Sequence, residues 1–261
     1  MIVPGAANPG FVSSGVDIGD RITNSLMLDS TASQCLSFTP AVTGNQKQWG
    51  LSIRFKQGIT GDGFALISAG SNASNATALY WVGNALYFAS YVGNVSQGAA
   101  HTPALQRDPT GHYHIELNVD TTQASIAAGW VAIKVNGVQQ TLTQDAAPVQ
   151  NHNTFMNLSG TTMYLGRDML NANYFDGVIS DVAYRDGGPV SACGRYSVDV
   201  PTFWVPKTYT GTYGNNGSRL TFTNGAALGT DSSGNGNNWT LNGGITSGNQ
   251  FTDTPTNNCC T

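Results

Sequence analysis

Apolar residues in this chain recur at every second position in short runs, and the runs are cut by Gly, Asn and Asp. Stretches with the three-to-four-residue spacing of a helix are almost absent, so the pattern predicts strands. The clearest run is His114-Ile115-Glu116-Leu117-Asn118-Val119-Asp120. Side chains alternate across a strand, which puts Ile115, Leu117 and Val119 on one face and the four polar residues on the other. The expectation is one face in the core and one in water. A second run, 130–135, ends in Asn136-Gly137. That dipeptide accepts the positive φ angles of a type I′ turn, so residues 138–142 are expected to return as the second arm of a hairpin. Residues 51–56, 64–68, 78–82, 85–91, 162–165 and 178–184 are further strands, with Gly83-Asn84 as another tight turn. Many short strands at this spacing define an all-β sandwich or jelly roll.

Composition narrows the function classes. Only 10 % of residues are charged, 11 Lys and Arg stand against 15 Asp and Glu, and the net charge is −4. Binding nucleic acid requires clustered cations, and none are clustered here, so nucleic acid is excluded as a partner. Disorder is excluded as well, because 40 % of the residues are hydrophobic and the aromatics are spread along the chain. No segment approaches the roughly 18 consecutive apolar residues of a membrane helix, so no membrane insertion is expected. The opening MIVPGAANPG lacks the basic and apolar regions of a signal peptide. Cys35, Cys193, Cys259 and Cys260 have no metal-ligand spacing, and an adjacent pair is strained as a disulfide. Free thiols in a cytoplasmically assembled protein are therefore expected. Six Asn-x-Ser/Thr sites, at Asn72, Asn75, Asn94, Asn157, Asn216 and Asn238, are read as a by-product of a chain rich in those residues.

The texture changes near residue 200. Pro201 and Pro206 are followed by YTGTYGNNGS, one alternating run at 219–223, and GTDSSGNGNNWTLNGG. The apolar residues here, including Phe203, Trp204, Leu220, Phe222, Trp239 and Ile245, are too few for a core of their own. The expected division is an arm at 1–19, a jelly-roll domain at 20–190 and an extended β-rich Gly/Asn-rich segment at 191–261, packed on the sandwich or on a neighbouring subunit.

Four ordered landmarks then carry a resemblance: Gly111-His112-Tyr113-His114-Ile115, the hairpin Lys134-Val135-Asn136-Gly137-Val138, Leu165-Gly166, and Tyr174-Phe175-Asp176-Gly177-Val178-Ile179-Ser180-Asp181-Val182. In that order they resemble laminin-G-like, concanavalin-A-like jelly rolls. Further features are MIVPGA at the start, Arg107-Asp108-Pro109, Trp204-Val205-Pro206-Lys207, Tyr209-Thr210-Gly211-Thr212-Tyr213-Gly214, the Asp231–Trp239 run DSSGNGNNW, and Asp253-Thr254-Pro255-Thr256-Asn257. With these, essentially the whole chain is similar to tailed-bacteriophage virion proteins that carry such a domain at the N-terminus. In those proteins the DTPTN stretch commonly leads into further sequence, so a chain ending at Cys260-Thr261 fits a short member or a fragment.

The resemblance implies a virion location, other virion proteins as partners, and a homo-oligomer, with a trimer favoured. The concanavalin-A-like fold also houses glycosidases, so paired carboxylates need weighing. Glu116 and Asp120 share a strand face but stand about 13 Å apart along it. Glycosidase carboxylates stand about 5–9.5 Å apart. The expectation is a wet structural face, and no G-x-S-x-G, H-E-x-x-H or P-loop pattern offers another chemistry. No cofactor is required; calcium is the candidate ion that the resemblance suggests, with oxygens available at Asp29, Asp62, Asp168, Asp176 and Asp186. Asp176 also reads as a turn-maker through bonds to backbone N–H groups. Carbohydrate would stack on aromatics, for which Trp81, Tyr87, Tyr91, Trp130 and Tyr174 are the candidates, although strand aromatics more often serve the core. The expected role is a non-enzymatic virion structural protein, a tail-fibre or appendage component acting in virion docking or host-glycan contact. The alternatives are a capsid decoration or head-fibre protein and a carbohydrate-binding lectin module.

Overall fold

The structure, a computed structural model of the chain, describes residues 17–257. Two eight-stranded antiparallel sheets face each other. The first contains β1 (Ser25–Leu28), β3 (Gln48–Gln57), β8 (Tyr113–Asp120), β9 (Val131–Val135), β10 (Val138–Gln139), β13 (Gly177–Asp186), β16 (Ser218–Leu220) and β18 (Gln250–Phe251). Its order is β10-β9-β8-β3-β13-β1-β18, with β16 continuing the β1 edge of β13. The second sheet contains β2 (Cys35–Phe38), β4 (Ala65–Asn72), β5 (Asn75–Val82), β6 (Ala85–Val92), β7 (Val95–Leu105), β11 (Thr143–Ala146), β12 (Met163–Leu165) and β17 (Thr240–Asn242), in the order β11-β7-β6-β5-β4-β12-β2-β17. A small ribbon of β14 (Gly194–Tyr196) and β15 (Trp204–Pro206) lies outside both.

Alternation builds the core. Trp49, Leu51, Ile53 and Phe55 of β3 and Ile115, Leu117 and Val119 of β8 point inward from the first sheet. They meet Leu79, Trp81, Leu86, Phe88, Met163 and Leu165 from the second. The Asn136-Gly137 turn has φ of 47° and 79°, as a type I′ turn requires, and Gly83-Asn84 has 59° and 67°. The return arm is shorter than expected: only Val138 and Gln139 pair with β9, after which the chain crosses to the second sheet as β11.

Most large apolar residues of the C-terminal third join the sandwich core, while Val190, Cys193 and Tyr209 form a second small cluster with Ala183 of β13. β16 and β18 extend the first sheet and β17 the second, and Leu220, Phe222, Leu228, Trp239 and Ile245 belong to the sandwich core. These short strands could not be stable alone.

The polar face of β8 is a correction. His114 and Glu116 are 3 % and 2 % exposed, because residues 189–206 cover the outside of the first sheet. Alternation finds the two faces of a strand but not what a distant segment lays over the polar one.

Candidate functional site

The covered face of the first sheet holds a buried polar layer that has the composition of a catalytic site. Ser52 Oγ and His114 Nε2 are 2.8 Å apart, Cys193 lies close by, and Glu116 Oε1 accepts the Cys193 N–H at 3.1 Å. The proton arrangement argues for structure. Trp204 Nε1 can only donate, and it donates to His114 Nδ1 at 2.8 Å. The neutral ring must therefore carry its proton on Nε2 and donate it to Ser52, the reverse of what a general base needs. Burial holds the His114 pKa well below its usual value, helped by the charges of Arg54 and Lys134, so the ring stays neutral. Burial pushes the Cys193 thiol up to about 12. Asp181 sits in a bulge of β13 with φ 43°, which turns its carboxylate towards Arg54 Nη1 at 2.6 Å and Arg219 Nη2 at 2.9 Å. Asp120 caps its own turn through Thr122 and Gln123.

The outside of the second sheet is different. Strand pairing sets Ser37, Tyr164, Ser68, Ala78, Ala89 and Ala99 in one outward row across β2, β12, β4, β5, β6 and β7. To one side runs a row of Tyr80, Tyr87 and His101, and to the other lies Tyr91. Tyr87 and Tyr91 are four residues apart on β6, about 13 Å. The result is a trough with a floor of small side chains and walls of aromatic ones. Tyr87 stacks on His101 with ring centroids 6.2 Å apart and planes at 8°, and its other neighbour Tyr80 is 5.2 Å away. His101 Nδ1 is 2.8 Å from Asp145 Oδ2. Burial, aided by Asp145, raises the Tyr87 phenol to about 12, so it remains a neutral donor. Among the described residues the hydroxyls of Tyr80, Tyr87 and Tyr91 carry no hydrogen bond.

The sequence candidates divide accordingly. Tyr87 and Tyr91 stand together on the trough. Tyr174 lies at its β12 end, where the guanidinium carbon of Arg167 is 3.7 Å from the Tyr164 ring centroid and 5.9 Å from that of Tyr174. Trp81 and Trp130 are a correction: both are wholly buried, Trp81 against Phe55 and Phe175 and Trp130 against Phe88, and neither offers a face to a sugar. They occupy inward positions of the alternation. Tyr80, Tyr164 and Arg167 were missed. The available signal was Ala and Tyr alternating on one face of 76–91, masked by apolar residues on the other face.

The five aspartates are not brought together, and among the described residues no group of three or more His, Cys, Asp or Glu could hold a metal ion. Asp29 accepts from Thr31, Asp62 from the Gly83 N–H, and Asp168 from Leu170, Ala172 and Asn173. Asp176 accepts both Ser30 groups at 3.1–3.2 Å, and Asp186 accepts the N–H groups of Asn45 and Asn216. Cys35 and Cys193 are buried free thiols; Cys259 and Cys260 lie outside the described residues.

No protein-family model and no curated protein matches this sequence. Solved structures resemble it in fold. The full extracellular region of zebrafish Gpr126/Adgrg6 is similar at a TM-score of 0.50 and 10 % identity, over 89 % of this chain and 26 % of that one. A native heptameric SAP-like pentraxin from Limulus polyphemus is similar at 0.46 and 14 % identity, over 66 % and 80 %. Domains LG4-5 of the mouse laminin alpha1 chain are similar at 0.44 and 11 % identity, over 69 % and 48 %. The two eight-stranded antiparallel sheets make the chain an all-β sandwich.

Proposed function

We propose that this chain is a non-enzymatic carbohydrate-contacting module of a tailed-bacteriophage virion, a component of a tail fibre or similar appendage. The observation that carries the glycan reading is the trough on the second sheet: aromatic faces of Tyr87 and Tyr91 beside free phenol donors, over a floor of Ser68, Ala78 and Ala89 too small to obstruct a ligand. Sugars bind by stacking on such rings and bonding through such hydroxyls. The virion assignment rests on the resemblance of the landmarks, from MIVPGA through Trp204-Val205-Pro206-Lys207 to Asp253-Thr254-Pro255-Thr256-Asn257. A non-enzymatic role is supported by the direction of the Ser52–His114 bond and by the burial of Glu116. Calcium is not invoked on this reading, because each of the five aspartates accepts hydrogen bonds from the protein at a separate place: Asp29 and Asp168 in their own turns, Asp62, Asp176 and Asp186 from distant segments.

Binding is tested on a glycan array with the purified chain and Tyr87→Ala. Retention of host polysaccharide by the wild type and its loss in the variant, with no release of oligosaccharide, is the expected result. Depolymerisation of the polysaccharide would overturn the non-enzymatic assignment, and equal binding by the variant would overturn the trough. EDTA should change neither melting temperature nor binding. Cryo-electron microscopy of the virion should place the chain on the tail in low copy; density over the capsid lattice would establish the decoration or head-fibre alternative instead.

A further inference from the structure

Arg167 is a buried cation without a counter-ion. It is 8 % exposed, yet among the described residues no carboxylate lies within ion-pair distance of it. Its Nε is buried with no hydrogen-bond partner. Nη1 donates to the side-chain oxygen of Asn171, a neutral group. Removing a charge from water without pairing it is costly, and the Tyr164 ring under the guanidinium offsets only part of that cost.

The loop after Arg167 is organised to keep this arrangement. Asp168 is adjacent in sequence, but its carboxylate is turned into the loop, accepting Leu170 N–H at 2.8 Å, Ala172 N–H at 3.0 Å and Asn173 Nδ2 at 2.6 Å. Asn171 and Asn173 take φ of 62° and 54°, the left-handed region that Asn tolerates better than most residues. Asn171 also accepts the Tyr174 hydroxyl at 2.7 Å. The adjacent Asp168 is therefore occupied elsewhere, and among the described residues no acid pairs with the cation.

The position of Arg167 says what a ligand there would touch. Ser68 Oγ, on the trough floor, donates to the Arg167 carbonyl at 2.9 Å, and Tyr164 stands in the same row as Ala78 and Ala89. Arg167 thus closes one end of the trough, about 14 Å from β6 across three strand spacings. The opposite end, on β7 and β11, carries His101 and the carboxylate of Asp145. A ligand with a negative group is held in one direction only, with that group at Arg167.

We propose that the trough selects an anionic glycan, and that Arg167 receives the carboxylate or sulfate of one sugar while the Tyr87 and Tyr91 end holds its neighbours. This rests on the glycan reading above and adds the ligand class. A planar guanidinium matches the geometry of either anion.

The test uses the purified chain on an array of uronic-acid-, sialic-acid- and sulfate-bearing oligosaccharides with their uncharged counterparts, followed by calorimetry on the best ligand of each kind. Anionic ligands should bind about tenfold or more tighter than uncharged counterparts, and Arg167→Gln should remove that advantage. Preference for the carboxylate or the sulfate arm identifies the anion. Should Arg167→Gln fail to fold, the wild type answers alone: its advantage for anionic ligands should shrink between low and high salt, while uncharged ligands hold constant. Equal affinity for charged and uncharged glycans, insensitive to salt, would overturn the role of Arg167 and leave the glycan reading standing. Absence of binding to every glycan on the array would overturn both.

Discussion

Acidification should destabilise the folded protein through His152, and the size of the effect can be worked out. The ring is 8 % exposed and its Nε2 lies 2.8 Å from Ser90 Oγ, which is 2.9 Å from Thr77 Oγ1. Burial pushes its pKa down to about 4. In the unfolded chain the value returns to about 6.5. Between these values the unfolded state binds the proton and the native state does not, so stability is complete above about pH 6.5 and declines as pH falls towards 4. At pH 5 the loss from this site is about 2 kcal/mol, reduced to between about 1 and 2 by solvent screening at a ring not fully enclosed. His114 adds to the decline in the same direction. Urea denaturation at pH 7.5 and pH 5 of the wild type and of His152→Gln isolates the site, since Gln can still bond Ser90 but takes up no proton and all other groups cancel. The wild type should lose about 1–2 kcal/mol more than the variant over this range. Equal losses in the two proteins would refute the reasoning, because the ring would then not be held neutral by the fold.

Three other perturbations probe the scaffold. Gly98 has φ 145°, and a Cβ there would lie 2.6 Å from the Trp130 indole, so Gly98→Ala should cost about 2–4 kcal/mol in denaturation and alter tryptophan fluorescence. Asp181→Asn leaves Arg54, 2 % exposed, without its acidic partner and should cost about 3 kcal/mol or more by the same measurement. Alkylation followed by peptide mapping should label Cys35 and Cys193 only in denaturant, since both are buried and burial raises both thiol pKa values.

The strands were legible wherever one face was apolar and the turn had its own chemistry. The β8 run and the Asn136-Gly137 turn are cases in which local sterics and alternation suffice. β7 was not legible, because Gly98, Ala99 and Ala100 present no contrast between faces, and Gly98 is small for the sake of Trp130, just before β9. The site was legible in part. Aromatic residues able to stack on sugar could be named, but Trp81 and Tyr87 sit six residues apart in adjacent strands and differ only in which face the pairing turns inward.

Sequence alone determined the all-β class, the turn positions and the neutral polar character of the surface, since these follow from side-chain period, backbone φ preference and charge count. Tertiary structure decided everything that depends on which strands meet. Pairing of β12 with β4, nearly a hundred residues apart in the chain, brings Arg167 to the end of a row of alanines. Folding of residues 189–206 over β8 turns a face that alternation marks as wet into a buried layer. A residue's period is a local property of the backbone, whereas its exposure and its charge balance are set by whatever distant segment the fold brings against it.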